Sequence, residues 1–217
     1  MRSVFILALK LAVFALVVRC WRTVNRHVLS FAWSAALMWG FVALVPVLAW
    51  VGRSLLDRYP SPERAARLTV PIHYAEMTLL GCSLFVAFRF TQDYPIARVP
   101  VSRSISWPLL QLLGGFATLT VLNLAIRGLG LPFAAVLSKR LASDWLYRRS
   151  RNPMLLSCLL FFIVGALWLR SLHAILWAVL WLSPAWILYV RVYEEGELEA
   201  RFGEPYRRYK AQTPFFF

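Results

Sequence analysis

The amino-acid sequence predicts an all-α fold, a polytopic transmembrane helical bundle of about six spans with a cytosolic-facing site in its C-terminal part. Three observations predict it. Hydrophobic residues make up 60% of the 217 and charged residues 16%, with mean hydropathy +0.61, against about 45–50% and about 25% in soluble domains. Apolar runs near the ~20 residues that cross a hydrocarbon layer alternate with short arginine-bearing segments. The cationic residues are spread unequally over alternate segments, which is how topology is encoded. The net charge of +14 therefore reads as topology. No nucleic-acid partner is expected, because the arginines lie between apolar runs instead of sharing one polar face. One membrane domain, 1–217, is expected, with N-terminal transmembrane helices over 1–126 and a distinct C-terminal region over 127–217.

The elements follow in order. Residues 4–18 are apolar but short for a span, and Lys10 interrupts them; the lysine can snorkel or face the bundle. Without a small-x-small cleavage pattern the run reads as a retained first helix. Residues 19–27, with Arg19, Arg22 and Arg26, read as interfacial. Residues 28–52 form a clear span, kinked at Pro46. Residues 53–68 read as a polar loop, because Pro60 and Pro62 stop a helix. Residues 70–90 are the third span and carry His73 and Glu76, three apart on one face; ionisable groups there face the bundle interior or a wet cavity, or lie shallow at the headgroups. Residues 105–126 form the fourth span, with Gly114-Gly115 allowing close helix approach and Asn123 near the far end. After the polar stretch 127–152, residues 153–169 and 172–190 read as a helical hairpin turning at Arg170-Ser171, its second arm bent at Ser183-Pro184. The tail 191–217 begins by continuing that helix. Cys20, Cys82 and Cys158 are too scattered for a disulfide framework or a metal motif.

With the N-terminus in the cytoplasm, inside segments hold 16 Lys and Arg and outside segments hold 7, Lys10 falling within the first helix. The asymmetry places both termini in the cytoplasm of a bacterial inner membrane or an endoplasmic reticulum. It also brings the 127–152 segment, the His73–Glu76 end of the third span, Asn123 and the tail to one side.

Two segments carry the chemistry. In Tyr147-Arg148-Arg149-Ser150-Arg151-Asn152-Pro153-Met154, Asn152 caps a helix whose first position is Pro153. Such a helix start offers free N–H groups and a positive dipole end. In the tail, Arg191–Glu195, Glu195–Glu199 and Glu197–Arg201 are four-residue neighbours and read in part as a salt-bridged surface. Glu194 and Glu195 stand at about the membrane depth of the Asn-Pro start.

Arg151-Asn152-Pro153-Met154 opening a hairpin, then Glu194-Glu195, Leu198, Phe202-Gly203, Tyr206 and Tyr209, resembles the isoprenylcysteine carboxyl methyltransferase and phospholipid methyltransferase superfamily of integral membrane methyltransferases. Gly128-Leu129-Gly130-Leu131-Pro132-Phe133 with Lys139-Arg140-Leu141 is similar to the approach to that motif in bacterial members. The resemblance spans about residues 125–214 and identifies 127–217 as a methyltransferase-like catalytic region of loop, hairpin and tail. It implies S-adenosylmethionine as cofactor, bound by Tyr147, Asn152, Pro153, Met154 and Leu155 with Glu194 and Glu195, and a lipophilic small-molecule or lipid-modified substrate entering from the membrane lipids. It also implies that Arg151 positions a substrate carboxylate, with Arg191 near a second such position. Departures are Asp144-Trp145-Leu146-Tyr147 where many members have Gly-Pro-Tyr, Asn152 where histidine is usual, and Leu155 where tyrosine is common.

Methyl transfer from a sulfonium needs alignment and charge management. A carboxylate acceptor, the expected one, needs no base, whereas an amine or hydroxyl would draw on His73, Glu76 or the tail glutamates. Two other readings compete: a membrane NADPH-dependent reductase of the sterol type, which Trp145 before the motif would suit, and a non-catalytic membrane protein retaining the fold.

Overall fold

The computed structural model describes residues 2–26, 29–58, 61–130 and 137–217. Among these there is no strand, only an isolated antiparallel bridge between Arg98 and Ser171. The helices are α1 (Arg2–Arg26), α2 (Phe31–Asp57), α3 (Pro62–Asp93), α4 (Arg103–Gly128), α5 (Pro153–Trp168), α6 (Leu172–Phe202) and α7 (Glu204–Gln212). Of these, α2, α3, α4 and α6 are long and apolar enough to cross a membrane, and α5 is a shorter apolar helix. The expectations resting on the Lys10 side chain, on Tyr59-Pro60 and on Leu131-Pro132-Phe133 lie outside the described residues.

Two boundaries correct the sequence reading. The helix expected over 4–18 does not stop there: α1 runs through Arg19, Arg22 and Arg26 without a break. The expected 53–68 loop is mostly helix: α2 runs on to Asp57 and α3 starts at Pro62. Proline is at home in that first turn, where no intrahelical bond needs its N–H, and Ser61 caps it, its Oγ accepting from Arg64 N at 3.2 Å. The Arg64 Nε then donates to the Leu55 carbonyl at 2.9 Å, tying the first turn of α3 to the last turns of α2. The hairpin turns where expected. Arg170 takes a left-handed conformation (φ 58°), and the Ser171 Oγ accepts from Ala174 N at 3.2 Å to cap α6.

Helix faces explain the packing. On α2, Ser34, Met38, Val42, Val45, Ala49, Gly52 and Leu56 are buried at steps of three and four, one continuous stripe. Its other faces expose Leu44, Val47, Trp50 and Val51. A helix apolar on its buried and exposed faces alike suits lipid as its outer solvent. The core joins the α2 stripe to Ile72, Leu80, Val86 and Phe90 of α3, Leu155 and Leu159 of α5, and Trp177, Leu182, Tyr189 and Tyr193 of α6. Polar cross-links reinforce it: Ser83 Oγ and Trp177 Nε1 both donate to the Met38 carbonyl, at 2.6 and 3.4 Å.

Close helix approach occurs at glycines other than those expected. A Cβ at Gly115 would meet nothing within 4 Å, and one at Gly114 would make ordinary contact with Phe161 at 3.7 Å. At Gly52 it would fall 2.7 Å from the Tyr193 ring, and at Gly196 it would collide with the Arg53 guanidinium. The seam that needs glycine is therefore α2 against α6. Along α6 the helix passes through two π-helical stretches, Ala178–Leu182 ahead of Pro184 and Val190–Glu194. Ser183 Oγ donates to the Ala178 carbonyl at 2.7 Å beside the proline, where the helix lacks an N–H.

Candidate functional site

A partly open cavity of about 140 Å³ lies between the first half of α3, the C-terminal half of α6, the start of α5 and α7. The 137–142 segment forms one wall. It is folded back by Lys139 N and Arg140 N, which donate to the Gly128 carbonyl at 3.0 and 3.1 Å. Asn123, fully buried, holds the next turn by accepting from Leu146 N at 3.2 Å. This puts Tyr147 on the wall.

The start of α5 is organised differently from the sequence reading. Asn152 makes no side-chain cap; its Nδ2 donates to the Phe215 carbonyl at 3.3 Å, and Ser150 Oγ donates to the same carbonyl at 3.2 Å. Arg151 N donates to the Pro214 carbonyl at 2.9 Å. The last residues thus strap across the Arg-Asn-Pro segment. The Arg151 guanidinium is equally committed: Nε and Nη2 donate to Glu195 Oε1 at 3.1 and 2.9 Å, and Nη1 to the Lys210 and Thr213 carbonyls at 2.8 and 2.6 Å. Four of its five donors are held by protein.

Of the expected site residues, Glu76, Tyr147, Arg151, Asn152, Met154, Leu155 and Glu194 line the cavity. Pro153 is buried in the first turn of α5 and lies off it. Glu195 also lies off it, buried between Arg151 and Lys210, whose Nζ stands 3.0 Å from its Oε2. Arg191 is exposed and stacks on the Phe215 ring at 4.5 Å. The surface pair expected between Arg191 and Glu195 is therefore absent.

Glu197 and Arg201, also read as a surface pair, are buried in the wall, with 2% and 11% of their side chains exposed and 2.9 Å between them. Thr69 Oγ1 donates to Glu197, and Arg201 Nη2 donates to the Ser138 carbonyl. Sequence reasoning missed this cluster of Thr69, Ser138, Glu197 and Arg201. The available signal was that Glu197 stands three residues after Glu194, on the same helical face.

The electrostatics follow from who is paired. Three carboxylates reach the wall: Glu76, Glu194 and Glu197. Glu197 is neutralised by Arg201, while among the described residues neither Glu76 nor Glu194 has an ion-pair partner. Glu76 is 1% exposed and its Oε1 meets no hydrogen-bond partner; the Tyr189 hydroxyl, equally buried, meets none either. His73 completes that end, its Nδ1 donating to the Thr69 carbonyl at 3.2 Å and its ring edge-on to Tyr189 with centroids 5.7 Å apart. Since a carbonyl only accepts, this fixes the proton on Nδ1 and leaves Nε2 an acceptor when the ring is neutral. Toward the mouth the phenols of Tyr147, Tyr206 and Tyr209 are held above the ordinary tyrosine range, chiefly by burial. The Glu194 charge adds to the rise at Tyr147, and the Arg151 charge opposes it at Tyr209. All three stay neutral donors. Arg140, exposed on the 137–142 wall, faces the opening with no ion-pair partner among the described residues.

Such a chamber suits a ligand that carries positive charge or N–H groups toward Glu194 and Glu76, offers planar or apolar surface to its rings, and presents an anionic group toward Arg140. No protein-family model, curated protein or solved structure matches this chain.

Proposed function

We propose that the protein is an integral membrane S-adenosylmethionine-dependent methyltransferase acting on a lipophilic acceptor, of the isoprenylcysteine carboxyl methyltransferase and phospholipid methyltransferase type. Its site faces the cytosol, α1 and α5 add two crossings to the four long apolar helices, and both termini lie inside. One observation carries the reading. Arg151, Asn152 and Met154 at the start of α5 and Glu194 of α6, linked in sequence only by motif, meet on the wall of one cavity that also holds uncompensated carboxylate and aromatic surface.

The residues fit the cofactor. S-adenosylmethionine, when bound, supplies an electrophilic methyl group on a positively charged sulfur. Glu194 offers the opposite charge in a low-dielectric setting, where it counts for more than in water. Arg140, exposed on the 137–142 wall, suits an amino-acid carboxylate. Tyr147 and Tyr206, kept protonated, have hydroxyls to donate, and with Tyr209, whose hydroxyl is spent on the Tyr147 carbonyl, they present flat faces. Trp186, Phe202 and Leu155 keep water from the reacting atoms. An NADPH site would instead bring phosphates against the Glu194 carboxylate, which repels them.

The test is thermal melting of the detergent-purified full chain with S-adenosylhomocysteine or NADPH. A ligand bound only by the folded state stabilises it by about 2.7 kcal/mol at a hundred times its Kd. S-adenosylhomocysteine raises the melting temperature and NADPH does not. A shift with NADPH alone replaces this reading by the reductase, and a response to neither favours a non-catalytic protein.

A further inference from the structure

Cys20, Cys82 and Cys158 are scattered in sequence, but the fold brings two of them together. Helix α1 packs chiefly against α3, and where the two meet, the Cys20 and Cys82 thiols share a hydrogen bond. Cys82 is 4% exposed. Cys20 is partly buried and, among the described residues, is where α1 touches the hydrophobic core. Elsewhere α1 turns Leu11, Phe14, Leu16 and Trp21 away from the bundle, each more than half exposed. Two adjoining thiols on different helices are placed for a bond that holds α1 to the bundle covalently and closes a loop containing all of α2. Cys158 stands apart on the wall of the cavity, which neither Cys20 nor Cys82 lines. The pair is therefore independent of the site described above.

We propose that Cys20 and Cys82 are a redox site, a dithiol that exchanges with a disulfide-bearing oxidant to form an intramolecular bond stapling α1 to α3. Cys20 is the entry point. It is the more accessible thiol, and it lies between Arg19 and Arg22, both exposed, whose charge draws an anionic disulfide such as oxidised glutathione. The Cys20 thiolate attacks one sulfur of the donor. The donor's S–S bond breaks, its electron pair leaves with the other sulfur, and that sulfur takes up the proton Cys20 gave up. Cys82, already in contact, attacks the Cys20 sulfur of the mixed disulfide, and the second donor sulfur departs as a thiol with the Cys82 proton. Two protein thiols are oxidised and one donor disulfide is reduced to two thiols, so no further reactant is needed. In the orientation proposed above, α1 enters from the cytoplasm. Cys20, near the far end of that helix, then lies toward the periplasm or the lumen, where disulfides persist.

The experiment uses the full chain in nanodiscs, purified reduced and then equilibrated with oxidised glutathione. Free thiols are counted with a maleimide mass tag after denaturation. The reduced protein takes three tags, one for each cysteine. The oxidised protein takes a single tag, on Cys158, and peptide mapping finds Cys20 joined to Cys82. Its melting temperature rises by about 5–15 °C, and a reductant reverses both changes. Cys82→Ser keeps one glutathione bound at Cys20, because the resolving thiol is gone, whereas Cys20→Ser leaves the buried Cys82 unmodified. The tag count and the mapping are read on the unmodified chain and depend on no variant folding. Three tags after oxidation, a bond to Cys158 or between two chains, or an unchanged melting temperature overturns the inference.

Discussion

Glu195 Oε1 accepts from both Nε and Nη2 of Arg151, at 3.1 and 2.9 Å, across 44 positions of sequence. The pair locks the start of α5 to α6, with 13% and 7% of the two side chains exposed. Removing one partner of a buried pair strands the other. Glu195→Gln and Arg151→Met each lower stability by about 3–5 kcal/mol, and the double variant loses less than their sum. Chemical denaturation of the four proteins in one detergent closes the cycle, and additive losses would contradict the lock.

The neighbouring glutamate behaves differently. Glu194 lies on the cavity wall without an ion-pair partner and Glu195 lies off it. Glu194→Gln therefore weakens binding of S-adenosylmethionine about tenfold, a difference of about 1.4 kcal/mol, and weakens S-adenosylhomocysteine, which lacks the sulfonium charge, less. Isothermal titration of both ligands reads the difference. Equal losses would place the sulfonium elsewhere.

Packing at the α2–α6 seam sets a contrast between glycines. Gly52→Ala drives a methyl into the Tyr193 ring and destabilises by about 1–3 kcal/mol. Gly165→Ala, with nothing within 4 Å of its added carbon, gains up to about 1 kcal/mol from helix propensity. Melting temperatures of the two variants should move in opposite directions.

Alkali attacks the mouth of the cavity. The phenols of Tyr147, Tyr206 and Tyr209 titrate above their unfolded value near 10. A raised folded pKa contributes stability that is complete below the unfolded value and lost as pH climbs past it toward the folded one. Stability is therefore flat in these groups up to about pH 10 and falls beyond. The Tyr209 hydroxyl donates to the Tyr147 carbonyl at 2.6 Å and cannot do so once ionised. Tyr209→Phe makes the alkaline fall shallower, as melts between neutral and strongly alkaline pH will register.

What the sequence disclosed follows a physical line. The apolar run of α2 and the α5–α6 turn at Arg170-Ser171 are local properties and were legible. The early start of α3 was hidden because Glu63, Arg64 and Arg67 look like loop, although Ser61-Pro62 is a good helix opening. Glu194 and Glu195 were legible as a pair, but adjacent residues on a helix point about 100° apart, and only the fold decides which one faces the cavity. The burial of Glu197 depends on Thr69, 128 positions away, and no spacing rule reaches that far. Asn152 was misread as a cap because the strap that engages it comes from the far end of the chain.

The π-helical stretch Val190–Glu194 has a consequence for the phase of α6. Each π turn spends a residue beyond the ordinary repeat, so the helix after Glu194 is rotated relative to the helix before Tyr189. Deleting one residue there would restore an ordinary repeat, leave the apolar length almost unchanged and turn everything downstream by about 100°. Glu197 and Arg201 would swing from the chamber together, and Glu195 from its arginine. The stretches of α6 before and after Val190–Glu194 thus run on separate angular settings, joined by a single surplus residue that composition alone would treat as expendable.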